Sequence, residues 1–258
     1  MKKRTSTIIL LLLFASLIWF GRHQILDVLD SWTAEPIPEV TPKDEVIKNE
    51  NTNENLNTNQ APEPVVLPDE FNLNVPFTTQ SPYAEWTEQD NESCEEAALL
   101  ITHYYWQDKA FTKEIAKQEL QKIVDFEMDY FGYYKDTTAE ETAELAQQMW
   151  GYDKVEVISD FTMEDIKKHV YQGRPVILPT AGRMLDNPNF RSPGPLYHML
   201  VVRGWNKDNI ITNDPGTRKG ENFQYTPENL YKAIHDWNDG DPVNGQKVII
   251  VIYGENST

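Results

Sequence analysis

The chain contains a single cysteine, Cys94, set in Ser93-Cys94-Glu95-Glu96. This is a capping-box pattern that places the sulfur on the first turn of a helix. A helix start offers backbone N–H groups without intrahelical partners and a partial positive charge, and both favour thiolate over thiol. A lone cysteine is more often a buried small hydrophobe than a nucleophile. Here Asp90, Asn91, Glu92, Glu95 and Glu96 make the segment polar, so it reads as an exposed helix start with the thiol at its rim.

A cysteine nucleophile requires a base, a group that orients the base, and donors for an oxyanion. Of the five histidines, His23 lies beside an N-terminal apolar run. His103 is on the Cys94 helix but about half a turn out of phase with it. His169 and His235 read as ordinary helix residues. His198 follows the loop Arg191-Ser192-Pro193-Gly194-Pro195-Leu196 and opens the apolar strand Met199-Leu200-Val201-Val202, which holds an imidazole at a sheet end, rigid yet accessible. If Asn206 to Asp208 is a hairpin loop, Asp214 faces Leu200 and lies diagonal to His198 on one side of the sheet. A loop shorter by one residue puts Asn213 there instead, so Asn213 is the fallback. Gln80, which ends Val75-Pro76-Phe77-Thr78-Thr79-Gln80, is a candidate oxyanion donor beside the Cys94 backbone N–H.

The elements that must carry these groups are legible as periodic runs. Ala97, Ala98, Ile101, Tyr104 and Tyr105 recur at helical spacing to about Gln107. Further helices are predicted after Thr112, Thr138 and Thr162, and from Thr226 with Pro227 at its first position and Leu230, Ala233, Ile234 and Trp237 on its inner face. Short β-rich runs at Val155 to Ile158, Pro175 to Thr180, Met199 to Trp205, Asn209 to Thr212 and Lys247 to Tyr253 read as strands. Helices first and strands later predict an α+β domain.

The folded domain is expected over residues 71–258. Before it, residues 1–30 carry Lys2, Lys3 and Arg4 followed by the apolar run Ile8 to Phe20. This predicts an N-terminal transmembrane segment with its basic end inside the cell. No A-x-A-like site follows the run, which favours an uncleaved single-pass anchor over a cleaved secretory signal. Residues 31–70 are rich in Asn, Glu, Pro and Thr and read as a disordered linker. The expected placement is therefore the cell membrane with the domain extracytoplasmic, or secretion if the segment is cleaved.

The net charge is −18, and residues 71–258 hold 17 Lys and Arg against 30 Asp and Glu. Nucleic acid and anionic lipid are poor partners for such a surface. Membrane contact should come from the N-terminal helix alone. The acidic surface favours basic or neutral substrates.

The Val75-Pro76…Gln80 segment, a cysteine opening a helix, His198 opening an apolar strand that ends in Gly204, and Asp214-Pro215 together resemble the papain-like cysteine peptidases of family thirty-nine. That family includes double-glycine leader peptidases of bacteriocin precursors and stand-alone relatives. The resemblance covers residues 71 to 253. It implies a papain-like fold with a helical first half packed on an antiparallel sheet, and it implies Cys94 as nucleophile, His198 as general base and acid, Asp214 as orienting acid and Gln80 as oxyanion donor. No cofactor or metal is implied. The expected substrate is a peptide or protein, hydrolysed through a thioacyl-enzyme. The alternatives are a catalytically weak binding module and a cell-wall peptide amidase or endopeptidase. Family members commonly carry Gly-Pro after the cysteine, where this chain has Glu95-Glu96. A carboxylate at Glu95 opposes thiolate formation and shifts activation onto an ion pair with His198.

Overall fold

The computed structural model describes residues 36–42, 45–46 and 66–254. The predicted anchor, residues 1–30, and most of the predicted linker lie outside them. Among the described residues no helix is long and apolar enough to cross a membrane.

The chain runs through β1 (Phe71–Asn72), α1 (Glu88–Asn91), α2 (Cys94–Trp106), α3 (Lys113–Tyr130), α4 (Ala139–Trp150), β2 (Val155–Ile158), α5 (Met163–Tyr171) and β3 (Val176–Ala181). A 3₁₀ turn (Gly182–Leu185), β4 (Tyr197–Trp205), β5 (Ile210–Asn213), β6 (Phe223–Tyr225), α6 (Pro227–Ala233), a second 3₁₀ turn (Pro242–Asn244) and β7 (Ile249–Ile252) follow. Thr112, Thr138, Thr162 and Thr226 each accept a hydrogen bond from the backbone N–H three residues on, as their positions before apolar-periodic runs require. Helix α6 stops at Ala233, short of the predicted Trp237. Ile234 instead leaves the helix to bridge Thr180, and the Lys247 ammonium donates to the carbonyls of Tyr231 and Ile234 at the helix end.

All the strands pair antiparallel, in the order β2-β7-β3-β4-β5-β6, with β1 also on β4. Every residue of β3, β4 and β7 is buried. Helices α2 and α5 pack against β3 and β4, and α4 against β2 and β7. The result is α+β, with helices packed on an antiparallel sheet.

The pairing of β4 with β5 decides which side chain reaches His198. The chain turns through Asn206 to Asn209, one residue longer than predicted, so that Trp205 pairs with Ile210 and Gly204 with Ile211. A bulge at Arg203 then absorbs one residue, and Val202 pairs with Thr212 and Val201 with Asn213. The next pair in that register is Leu200 with Asp214. The predicted alignment is thus reached by two offsetting departures from a regular hairpin.

The bulged residue, Arg203, is 3% exposed. Its guanidinium donates to the Leu73 and Val75 carbonyls and to Asn72 Oδ1, fastening the N-terminal segment of the domain across the sheet. Gly204 is required by the same approach. A Cβ there would lie 2.3 Å from the Phe71 carbonyl oxygen and 2.8 Å from Asn72 Cα. Gly204→Ala is expected to destabilise the domain by about 1–3 kcal/mol, measured as a lower denaturant midpoint with an unchanged slope.

The folded body begins before Phe71. Thr41 bridges Leu73, Asn72 Nδ2 donates to the Pro38 carbonyl, and Val46 is buried against Gly173. Part of the segment read as linker therefore docks on the domain through backbone pairing, which its polar composition does not disclose.

Helix α2 is the centre of the helical half. Ala98, Leu99, Ile101 and Tyr105 join the sheet-side core, and Ala97, Leu100 and Tyr104 pack with Leu120 and Ile123 of α3. A helix apolar on both faces is enclosed on both. That overturns the expectation of an exposed helix start, because Cys94 is only 5% exposed and Glu95 and Glu96 are buried with it.

Candidate active site

A cavity of about 760 Å³ opens between the segments flanking α2 and the loops at the β4 end of the sheet, and Gln80, Cys94 and His198 all line it. The loop from Asn189 to Tyr197 forms much of its wall, with Gly216 to Lys219 beside it. Asp214 sits beneath His198, fully buried.

The predicted capping box at Ser93 does not form. Ser93 Oγ donates back to the Gln89 carbonyl at 2.9 Å and caps nothing in α2. It is used instead by the short helix α1, which Thr87 and Asp90 cap reciprocally. Asp90 also accepts from Ser81 Oγ at 2.8 Å and from Lys117 at 2.6 Å, so the approach to Cys94 is fixed by charge and hydrogen bonding. The first N–H groups of α2 still have no intrahelical carbonyl to bond, which leaves that of Cys94 suited to an oxyanion.

His198 Nε2 is 2.8 Å from Asp214 Oδ1. Asp214 also accepts from Tyr225 Oη (2.6 Å), Asn187 Nδ2 (3.0 Å) and the Gly216 backbone N–H (2.9 Å). Burial pushes its carboxyl up, but the His198 ring and these donors outweigh that and hold it below the ordinary aspartate range. An ionised Asp214 is an acceptor only, so Nε2 carries the proton and Nδ1 is left as the acceptor of the ring. Phe190 packs edge-on against the imidazole at 5.2 Å.

Asn213 points to other work. Its amide donates to the Val75 and Pro76 carbonyls, tying down the segment that leads to Gln80. Two of the other described histidines are held within the fold. His103 stacks on Trp150 at 3.9 Å and bonds the Tyr152 hydroxyl, and His235 Nδ1 bonds the Gly245 carbonyl.

Hydrogen bonding from the backbone N–H of Met199, the residue after His198, favours the Cys94 thiolate. Larger effects oppose it. Burial, and then the adjacent Glu95, push the Cys94 thiol well above its ordinary range. The thiol donates to Glu95 Oε2 at 3.0 Å, and burial followed by the charge of Glu96 pushes Glu95 up as well. Behind them Glu96 and Glu127 are both completely buried, and burial and each other's charge push Glu96 up. The resting arrangement therefore stores Cys94 as a neutral thiol turned to Glu95.

Gln80 stands where the sequence put it, but its amide is engaged. Nε2 donates to the Asp90 carbonyl at 2.8 Å and to that of Asn91 at 3.2 Å, while its backbone N–H donates to the Pro215 carbonyl at 3.0 Å. One residue thus joins the segment before Cys94 to the loop after Asp214. A second tie joins the two halves, because the Tyr197 hydroxyl donates to Asp236 Oδ1 at 2.9 Å and to the Thr137 carbonyl at 3.3 Å.

Sequence reasoning missed Asn187 and Tyr225, which complete the shell of Asp214. Asn187 lies in a long irregular loop with no local signal. Tyr225 ends a three-residue strand just before the helix cap at Thr226, too short for its alternation to register.

Helices on an antiparallel sheet, with a thiol at a helix start and an Asp-paired imidazole at a strand start lining one cavity, define a cysteine peptidase-like domain. The chain belongs to the Peptidase_C39 like family, whose model matches residues 72–239. Among solved structures, a C39-like peptidase candidate from Bacillus anthracis matches at 16% identity and a TM-score of 0.47, covering 71% of this chain and 96% of that one. None of the curated proteins matches.

Proposed function

We propose that the protein is a membrane-anchored cysteine peptidase whose domain lies outside the cytoplasm and which hydrolyses peptide bonds through a thioacyl-enzyme. The observation that carries this reading is the Asp214–His198 pair, whose imidazole lines one cavity with the chain's single thiol. Anchoring rests on the basic residues and apolar run of the first thirty positions.

In this reading the Cys94 thiol turns from Glu95 to His198 Nδ1, which takes its proton. The thiolate attacks the substrate carbonyl carbon, and the oxyanion meets the Cys94 backbone N–H. The weaker of the two Gln80 bonds, that to Asn91, is the one a substrate oxygen would displace. The imidazolium, stabilised by Asp214, protonates the leaving amine. A water deprotonated by His198 then cleaves the thioester.

The bond from Cys94 to Glu95 specifically favours a second reading, a papain-like binding module with weak catalysis. Labelling of the full chain with fluorescent iodoacetamide near pH 7 separates the two, because no other cysteine reacts. The peptidase reading expects labelling of Cys94 in native protein that falls at least about tenfold in His198→Ala. An unreactive thiol in the folded chain removes that reading.

A further inference from the structure

The cavity that holds Cys94 and His198 has walls of opposite charge. On the helical side Glu92 and Asp136 line it. Burial pushes the Asp136 carboxyl up and the charge of Glu92 pushes it further, while Lys135 partly offsets them. No cation among the described residues pairs with either, although Lys135 next door pairs with Glu88. Trp86 lines the same side with a φ of 51°. A bulky side chain in the left-handed region is strained and persists where its surroundings fix it. Here the Trp86 N–H donates to Ser81 Oγ, and its carbonyl accepts from Asn91 Nδ2. An aromatic face and two carboxylates outside any ion pair suit a cationic group.

On the sheet side Arg191, Arg218 and Lys219 line the cavity. All three are exposed, and none forms an ion pair among the described residues. In a chain with 41 acidic residues against 23 basic ones, three unpaired cations around one cavity mark it as an anion-accepting wall. An extended peptide presents successive side chains to opposite sides. A peptide lying between these walls thus turns one side chain to the acids and its neighbour to the cations.

We propose that the cavity selects peptides in which a basic and an acidic side chain are adjacent, the basic one against Trp86, Glu92 and Asp136 and the acidic one against Arg191, Arg218 and Lys219. The inference rests on the peptidase reading in taking a peptide as the substrate, and it refines the expectation of basic or neutral substrates drawn from net charge.

The test measures binding of fluorescein-labelled hexapeptides to full-length Cys94→Ala protein by anisotropy, with central pairs Lys-Glu, Lys-Lys, Glu-Glu and Gln-Gln in an alanine background. The Lys-Glu peptide is expected to bind about fivefold more tightly than Gln-Gln at low salt, and the margin should shrink as salt rises. Reversing the exposed cations (Arg218→Glu with Lys219→Glu) should move the preference to Lys-Lys, and Glu92→Gln should weaken Lys-Glu and Lys-Lys alike. Equal binding of all four peptides, or a ranking that charge reversal leaves unchanged, overturns the proposal. If the Cys94→Ala protein ranks the peptides as expected but the wild-type chain cleaves none, the peptidase reading falls and this one stands. Cleavage without ranking removes this one alone.

Discussion

Replacing Asp214 with alanine is expected to lower kcat/KM for peptide hydrolysis by about 10³–10⁴-fold and to cost the fold about 3–5 kcal/mol. Both effects have one origin. The carboxylate is the common acceptor for His198, Tyr225, Asn187 and the Gly216 N–H. Its removal leaves four donors without their common buried acceptor. It also releases the constraint that keeps the proton on Nε2 and Nδ1 open to the thiol. Asp214→Asn, which keeps the volume and one carbonyl oxygen, should recover much of the stability but little of the rate. The sign of the pH dependence follows from the lowered carboxyl. Its stabilising contribution is present above the unfolded value, near 3.9, and is lost as pH falls through the folded one. Thermal melts of the wild type should therefore fall steeply below about pH 4, and Asp214→Ala should lack that share of the fall. Equal melting and equal rates in the two proteins would show that Asp214 does not orient the ring.

The second large effect concerns Glu95 and has the opposite direction. Removing its charge should make Cys94 more reactive, because Glu95 is both the acceptor of the thiol proton and, after burial, the main influence holding the thiol un-ionised. Glu95→Gln keeps the shape and removes the charge, and it should raise the rate of iodoacetamide alkylation near pH 7 by about tenfold, the equivalent of about 1.4 kcal/mol. The inflection of the rate against pH should move downward. Glu95→Gly, the residue common at this place in the family, should do the same while costing about 1 kcal/mol of helix stability. If peptide hydrolysis rises in parallel with alkylation, the carboxylate is a brake on a working peptidase. A fall in both would mean that Glu95 assists the thiol, contrary to the charge argument.

These residues also show how far the sequence could be read. Gln80 ends an irregular segment and stood out through the resemblance, whereas Cys94, His198 and Asp214 were legible as positions because each stands at the start of, or directly after, an element with a strong pattern. The threonine caps fixed four helices for the same reason. Asp214 was placed correctly for an incomplete reason, since a longer turn and the Arg203 bulge cancel, and neither has a local signature. The environment of the thiol is not legible in the same way. Polar neighbours suggested exposure, whereas Glu95 and Glu96 are enclosed because α2 is packed from both sides, which depends on Leu120 and Ile123 of the following helix. Ser93 satisfied the capping pattern yet was taken by the preceding helix turn, a competition that spacing alone does not resolve.

The ties at Gln80 and Tyr197 have a further consequence for turnover. Separating the two halves of the domain would break the bonds from the Gln80 N–H to the Pro215 carbonyl, from the Tyr197 hydroxyl to the Thr137 carbonyl and from the Ala139 N–H to Asp236 Oδ1, each worth about 1 kcal/mol. A gaping form is correspondingly rare, and substrate must thread into a slot of nearly fixed width. Folded proteins would then be spared except where they present a frayed terminus or an unstructured loop, so the availability of slack chain, rather than its sequence alone, would set which proteins are cut.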